Sequence, residues 1–217
     1  MTKQQNLLAL RVLYLVWVIV GMYSLMYVPS QIRVAGDDLA TWQNIQENEL
    51  LFRSGIAVRL FTQLLFIVVG WLLFRFLEDV SRLAAELMLI LALVAVPIAM
   101  LSELSTIAAV STANSAEQVA DLLKLNSAGI NIASIFWGLW LLPLGYLVWH
   151  STLFPKFLGV LLYLAGSAYF VGSFSRILAI ESELLYTACE VLTFGEVIWL
   201  LWLVALGTRG KLKNVAG

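Results

Sequence analysis

Long apolar stretches alternate along this chain with short polar ones. The apolar stretches cover about residues 7–28, 50–74, 83–110, 127–149, 157–175 and 184–206. A helix of ~20 apolar residues spans a bilayer, and unbroken apolarity at that length predicts membrane-spanning helices. The expected fold is therefore all-α, a polytopic bundle of six transmembrane helices in a single domain over residues 1–217. The stretch 128–173 is the clearest: two apolar runs flank the turn His150–Lys156, and Lys156 is its one formal charge.

The polar segments carry weaker helical patterns. Pro29 is expected to end the first run, and Gly36 to turn the chain before a cap at Asp37 or Asp38. Leu39, Trp42 and Ile45 then recur at helical spacing, which predicts a short amphipathic helix at the membrane interface. Ser115 with Gln118 has capping-box spacing ahead of Val119, Leu122 and Leu123, predicting a second short interfacial helix. Pro97 should disturb the third span by removing a backbone donor. The first run is too long for a secretory leader and lacks a small-residue cleavage site, so it reads as a span.

Small residues recur seven apart at Gly138 and Gly145, and at Gly159, Gly166 and Ser173. Such a face lets another backbone approach closely. It fits packing within the chain or a homo-oligomer interface.

Composition removes whole classes of function. The chain is 61% hydrophobic and 12% charged, against about 25% charged for an average soluble domain. A net charge of −1 gives no basis for nucleic-acid binding. Cys189 and His150 are each the only residue of their type. An internal disulfide, a multi-cysteine metal site and a bis-histidine haem are therefore out of reach. No nucleotide-binding glycine loop or catalytic serine context occurs, and no cofactor is expected.

Basic residues set the expected orientation. With both ends cytoplasmic, the inner segments hold Lys3, Arg11, Arg75, Arg82, Lys156, Arg209, Lys211 and Lys213, against Arg33, Arg53, Lys124 and Arg176 outside. That asymmetry follows the positive-inside rule for a plasma (inner) membrane protein.

Charges inside the spans are the candidate chemistry, because each costs ~2.5–3.5 kcal/mol at mid-bilayer on insertion scales. At ~1.5 Å per residue, Arg59, Glu103, Glu190 and Glu196 lie about 13, 10, 9 and 18 Å from the outer surface. Gln63 and Asn131 supply nearby amides. These six residues are the candidate ligand-binding polar centre, with Arg59 expected to hold one carboxylate as a bidentate pair. An ion pair that only fixes helix register is the competing reading. Three functions remain: a non-enzymatic membrane protein binding or sensing a small or lipidic ligand in an outward-facing pocket, a small proton-coupled transporter acting as an oligomer, and an intramembrane enzyme. The first is preferred, since no nucleophile or metal set is found.

Three segments carry a family likeness: GDDLATWQNIQENELLFRSGI, the hairpin NSAGINIASIFWGLWLLPLGYLVWHSTLFPKFLGVLLYLAGSAYFVGS, and LTFGEVIWLLWLV. Together they resemble a bacterial membrane family, domain of unknown function 4386. The resemblance implies a multi-pass membrane fold and no established activity. Its Gly-Glu pair, matched here by Gly195 and Glu196, favours Glu196 over Glu190. The family pattern tends to an acidic residue where Arg59 and Asn131 stand here.

Overall fold

A computed structural model describes residues 2–208; the basic tail residues Arg209, Lys211 and Lys213 lie outside the described residues. Seven helices make up the described chain: α1 Lys3–Ile32, α2 Asp38–Glu47, α3 Glu49–Leu77, α4 Arg82–Ser111, α5 Ala116–His150, α6 Lys156–Ile177 and α7 Glu183–Ala205. All except α2 are long and apolar enough to cross a membrane, six in number. No strand occurs among the described residues.

Local chemistry sets the boundaries. Thr2 and Gln5 form a capping box at the start of α1, and Asp37, Ser81, Ser115 and Ser182 cap α2, α4, α5 and α7 by accepting from the first-turn N–H groups. Pro29 does not end α1. A π-helical turn over Tyr23–Tyr27 hands over to the segment Val28–Ile32, where Pro29 sits in the first turn, the position that tolerates it. The second short helix is also not separate. Residues from Ala116 are helical as expected but run on to His150, 35 residues in all. No proline or glycine interrupts residues 116–128. Asn126 and Ser127 spend their side chains on the carbonyls of Ser102 and Leu123, so neither disturbs the helix.

Sequential helices pack side by side, α1 on α3, then α3–α4, α4–α5, α5–α6 and α6–α7. Arg11 closes the ring: its guanidinium donates to the Val204 and Ala205 carbonyls at the end of α7 (2.6–3.2 Å). A cation there also complements the helix dipole. The main core joins Leu73, Phe76, Met88, Leu144, Leu147, Leu158 and Trp199. A second cluster caps the other end, where Ile45 of α2 meets Phe52, Val119 and Leu123. Thus α2 turns Thr41 and Ile45 to the protein, whereas Leu39 of the expected apolar face is exposed.

The glycine stripes of α5 and α6 face each other inside the chain. A Cβ on Gly138 would come 2.7 Å from the Gly166 carbonyl oxygen, and one on Gly145 would come 3.0 Å from that of Gly159. Only glycine permits the two backbones this approach.

Candidate functional site

Antiparallel α3 and α4 bring Arg59 and Glu103 level. Arg59 stands ten residues into α3, and Glu103 eight from the end of α4. Arg59 Nε donates to Glu103 Oε1 (2.8 Å) and Nη2 to Oε2 (3.0 Å), a bidentate pair. The Glu103 side chain is 3% exposed and that of Arg59 16%. Arg59 Nη1 also reaches the Ser24 carbonyl in the π-helical turn of α1, at 3.5 Å. Arg33, just past α1, lies near this pair: partial enclosure and then the Arg59 guanidinium hold its pKa below the usual arginine range, with Glu103 opposing them.

Glu196 belongs to a different set of side chains. Its carboxylate accepts from the Tyr169 hydroxyl on α6 and faces the Tyr14 hydroxyl on α1; Tyr14 in turn borders the Trp199 indole N–H. The preceding glycine explains the placement. A Cβ on Gly195 would stand 2.5 Å from the Leu161 carbonyl oxygen, so α7 docks on α6 through that bare backbone. One residue on, about 100° around the helix, Glu196 is turned towards the tyrosines. Gly138 supports the same set from the other side, since its Cβ would meet Tyr169 Cβ at 2.7 Å.

Asn131 ties α5 to α6: Nδ2 donates to the Ser173 carbonyl at 3.1 Å. Its Oδ1, the Ser173 Oγ and the Gln63 Oε1 are buried without a hydrogen-bond partner among the described residues. Glu190 is exposed on α7. No hydrogen bond or ion pair among the described residues joins Glu190 or Glu196 to Arg59 or Glu103. The six candidates therefore divide into a closed ion pair, a carboxylate among tyrosines, two amides with orphaned acceptors, and one exposed glutamate. Among the described residues no three His, Cys, Asp or Glu side chains come together as metal ligands.

Tyr14 and Tyr169 are polar residues that sequence reasoning passed over, and Ser173 entered it only as a small residue. Their only signal is a polar tip inside an apolar run. Arg11 ties the first helix to the last.

Residues 12–207 match the family model described as Domain of unknown function (DUF4386). A stretch of 81 residues is 35% identical to an "Uncharacterized protein" of Archaeoglobus fulgidus, covering 37% of this chain and 47% of the relative. The chain thus spans about half the length of the curated relative it matches. That relative is archaeal, whereas the resemblance implied a bacterial family. No solved structure matches.

Proposed function

The chain belongs to the family described as a domain of unknown function (DUF4386), and on that premise we propose a non-enzymatic membrane protein that binds a small or lipidic ligand at Glu196. One observation carries the reading. The cation expected to neutralise the intramembrane carboxylates is engaged by Glu103 in a bidentate pair, and among the described residues no lysine or arginine pairs with Glu196. A carboxylate inside apolar helices is costly unless compensated. A ligand carrying a positive charge or several hydrogen-bond donors supplies that compensation. The end carrying Lys3, Arg75, Arg82 and Lys156 is the cytoplasmic one in this reading, by the excess of basic residues there.

The test is a thermal-shift panel of primary, quaternary and polyamine cations on the purified protein, repeated with Glu196→Gln. A shift in the parent that disappears in the variant supports the reading. No shift with any cation, or the same shift in both proteins, counts against it. Proton-coupled carriage by an oligomer is the second reading. It draws on the hydroxyl pair Tyr14 and Tyr169 flanking the carboxylate, and on a proton's being the smallest cation Glu196 can take. Uptake of a shifting cation into proteoliposomes only under a proton gradient would promote it.

A further inference from the structure

A cavity of about 290 Å³ opens at the opposite end from Arg33, lined by Lys3 and Asn6 of α1 and by Trp71, Arg75, Glu78 and Asp79 along and beyond α3. It lies just below the usual range of ligand-pocket sizes, roughly 300–1,000 Å³. Its charges alternate. Lys3 Nζ pairs with Asp79 at 2.6 Å and Arg75 Nη1 with Glu78 at 3.3 Å, so two cations and two carboxylates face one space with no net formal charge. Asn6 is the built element: it is 6% exposed and its Nδ2 donates to the Leu72 carbonyl (3.3 Å). Its Oδ1 is buried without a partner among the described residues, an acceptor in need of an N–H donor. Trp71 is 48% exposed one turn before Arg75, the placement of an interfacial tryptophan.

The geometry points to a site for a phosphate ester carrying a primary ammonium group, the chemistry of an ethanolamine phospholipid headgroup. Lys3 and Arg75 take the phosphate, Arg75 through guanidinium donors beyond the one spent on Glu78. Glu78, Asp79 and the Asn6 amide oxygen take the ammonium protons. Zero net charge disfavours a purely anionic headgroup. A quaternary ammonium has no N–H to donate, and one tryptophan is not the aromatic cage that such a group needs. The glycerol and acyl chains then lie along Trp71. The site is separate from Glu196 and stands or falls independently of it.

The full chain in mild detergent is melted with phospholipids of one acyl composition bearing ethanolamine, choline or glycerol headgroups. The ethanolamine lipid is expected to raise the midpoint by several degrees, and the other two by less than half as much. The double variant Glu78→Gln, Asp79→Asn should lose that preference and turn towards the phosphoglycerol lipid, a gain that misfolding does not produce. Should that variant not fold, Asp79→Asn alone, at an exposed position, should weaken the ethanolamine response and leave the other two as they are. Soluble phosphoethanolamine separates the two sources: a shift with it identifies a soluble ligand, and a shift with lipid only identifies a headgroup. Glu196→Gln should leave every one of these responses intact. Equal shifts with the three headgroups, no shift with any of them or with soluble phosphoethanolamine, or a preference unchanged in both variants overturns the proposal.

Discussion

Glu103 and Glu196 are both carboxylates well inside apolar helices, yet their surroundings differ in kind. Glu103 meets a guanidinium along two parallel hydrogen bonds and is sealed by its neighbours. Glu196 meets tyrosine hydroxyls and sits where the bare backbone of α7 at Gly195 rests on α6. The first arrangement is complete without anything added. A closed pair fixes the register of α3 against α4 and leaves no group free for a ligand. The second leaves a carboxyl group with no cation, beside hydroxyls that are only dipoles. On the proposed reading, structure-bearing and ligand-bearing roles fall to different acids of the same type.

The largest expected effect comes from breaking the closed pair. Arg59→Met strands Glu103, 2% exposed as a residue, without its cation. Removing one partner of a buried pair costs about 3–5 kcal/mol, read as a drop in midpoint on thermal or denaturant unfolding. The double variant Arg59→Met, Glu103→Leu should recover most of that loss, because apolar groups of similar volume replace a buried pair at little net cost. A double variant as unstable as the single one would mean that Arg59 acts through Ser24 or Arg33 and not through Glu103.

Next in size is Gly138→Ala. The new methyl meets the Gly166 carbonyl oxygen and Tyr169 Cβ, both at 2.7 Å. Overpacking costs about 1–3 kcal/mol, and pressure on Tyr169 should weaken any Glu196-dependent ligand shift. Gly172→Ala is the control, since its Cβ would come no closer than 3.5 Å to Cys189 Cβ. That variant should be neutral, or stabilised by up to ~1 kcal/mol from helix propensity. Equal behaviour of the two would detach the hairpin contact from the Glu196 surroundings.

The six spans were legible in the sequence because apolar length alone decides them, and the caps because Ser115 and Asp37 stand at fixed offsets from the runs they open. What depth arithmetic left open was partnership. Arg59, Glu103 and Glu190 lie at similar depths along their helices, so rise per residue does not choose between the two acids. Azimuth and helix order choose. Glu190 is six residues from Glu196, about 120° away around α7, and that rotation carries it to the exposed side. α3 and α4 are adjacent in sequence and in space, so Arg59 finds Glu103. The tyrosines were out of reach for another reason. Tyr14 and Tyr169 come from helices far apart in the chain, and the packing of α7 against both α6 and α1 sets both beside one carboxylate.

Glu196→Gln should change stability by less than about 1 kcal/mol, smaller than either loss above. The amide keeps an oxygen for the Tyr169 hydroxyl, and the charge that burial opposes is removed. Cation-dependent shifts should vanish at the same time. A variant that unfolds like Arg59→Met would erase the contrast between the two acids, making Glu196 a structural member of the α6–α7 contact.

The smallest effect is expected at the third intramembrane glutamate. Glu190 is exposed, and among the described residues the only bond at it outside the helix ladder is Thr193 Oγ1 donating to its backbone carbonyl, which the substitution retains. Glu190→Gln should therefore stay within about 0.5 kcal/mol of the parent, the usual range for exposed positions, and leave the cation response whole. Because Glu190 and Glu196 share a helix and a charge, this variant isolates position from chemistry. Loss of the response in Glu190→Gln would show that any carboxylate on α7 suffices, and that attraction of cations to the helix as a whole produces the shift. A response kept in Glu190→Gln and lost in Glu196→Gln would locate it at the side chain held between Tyr14 and Tyr169.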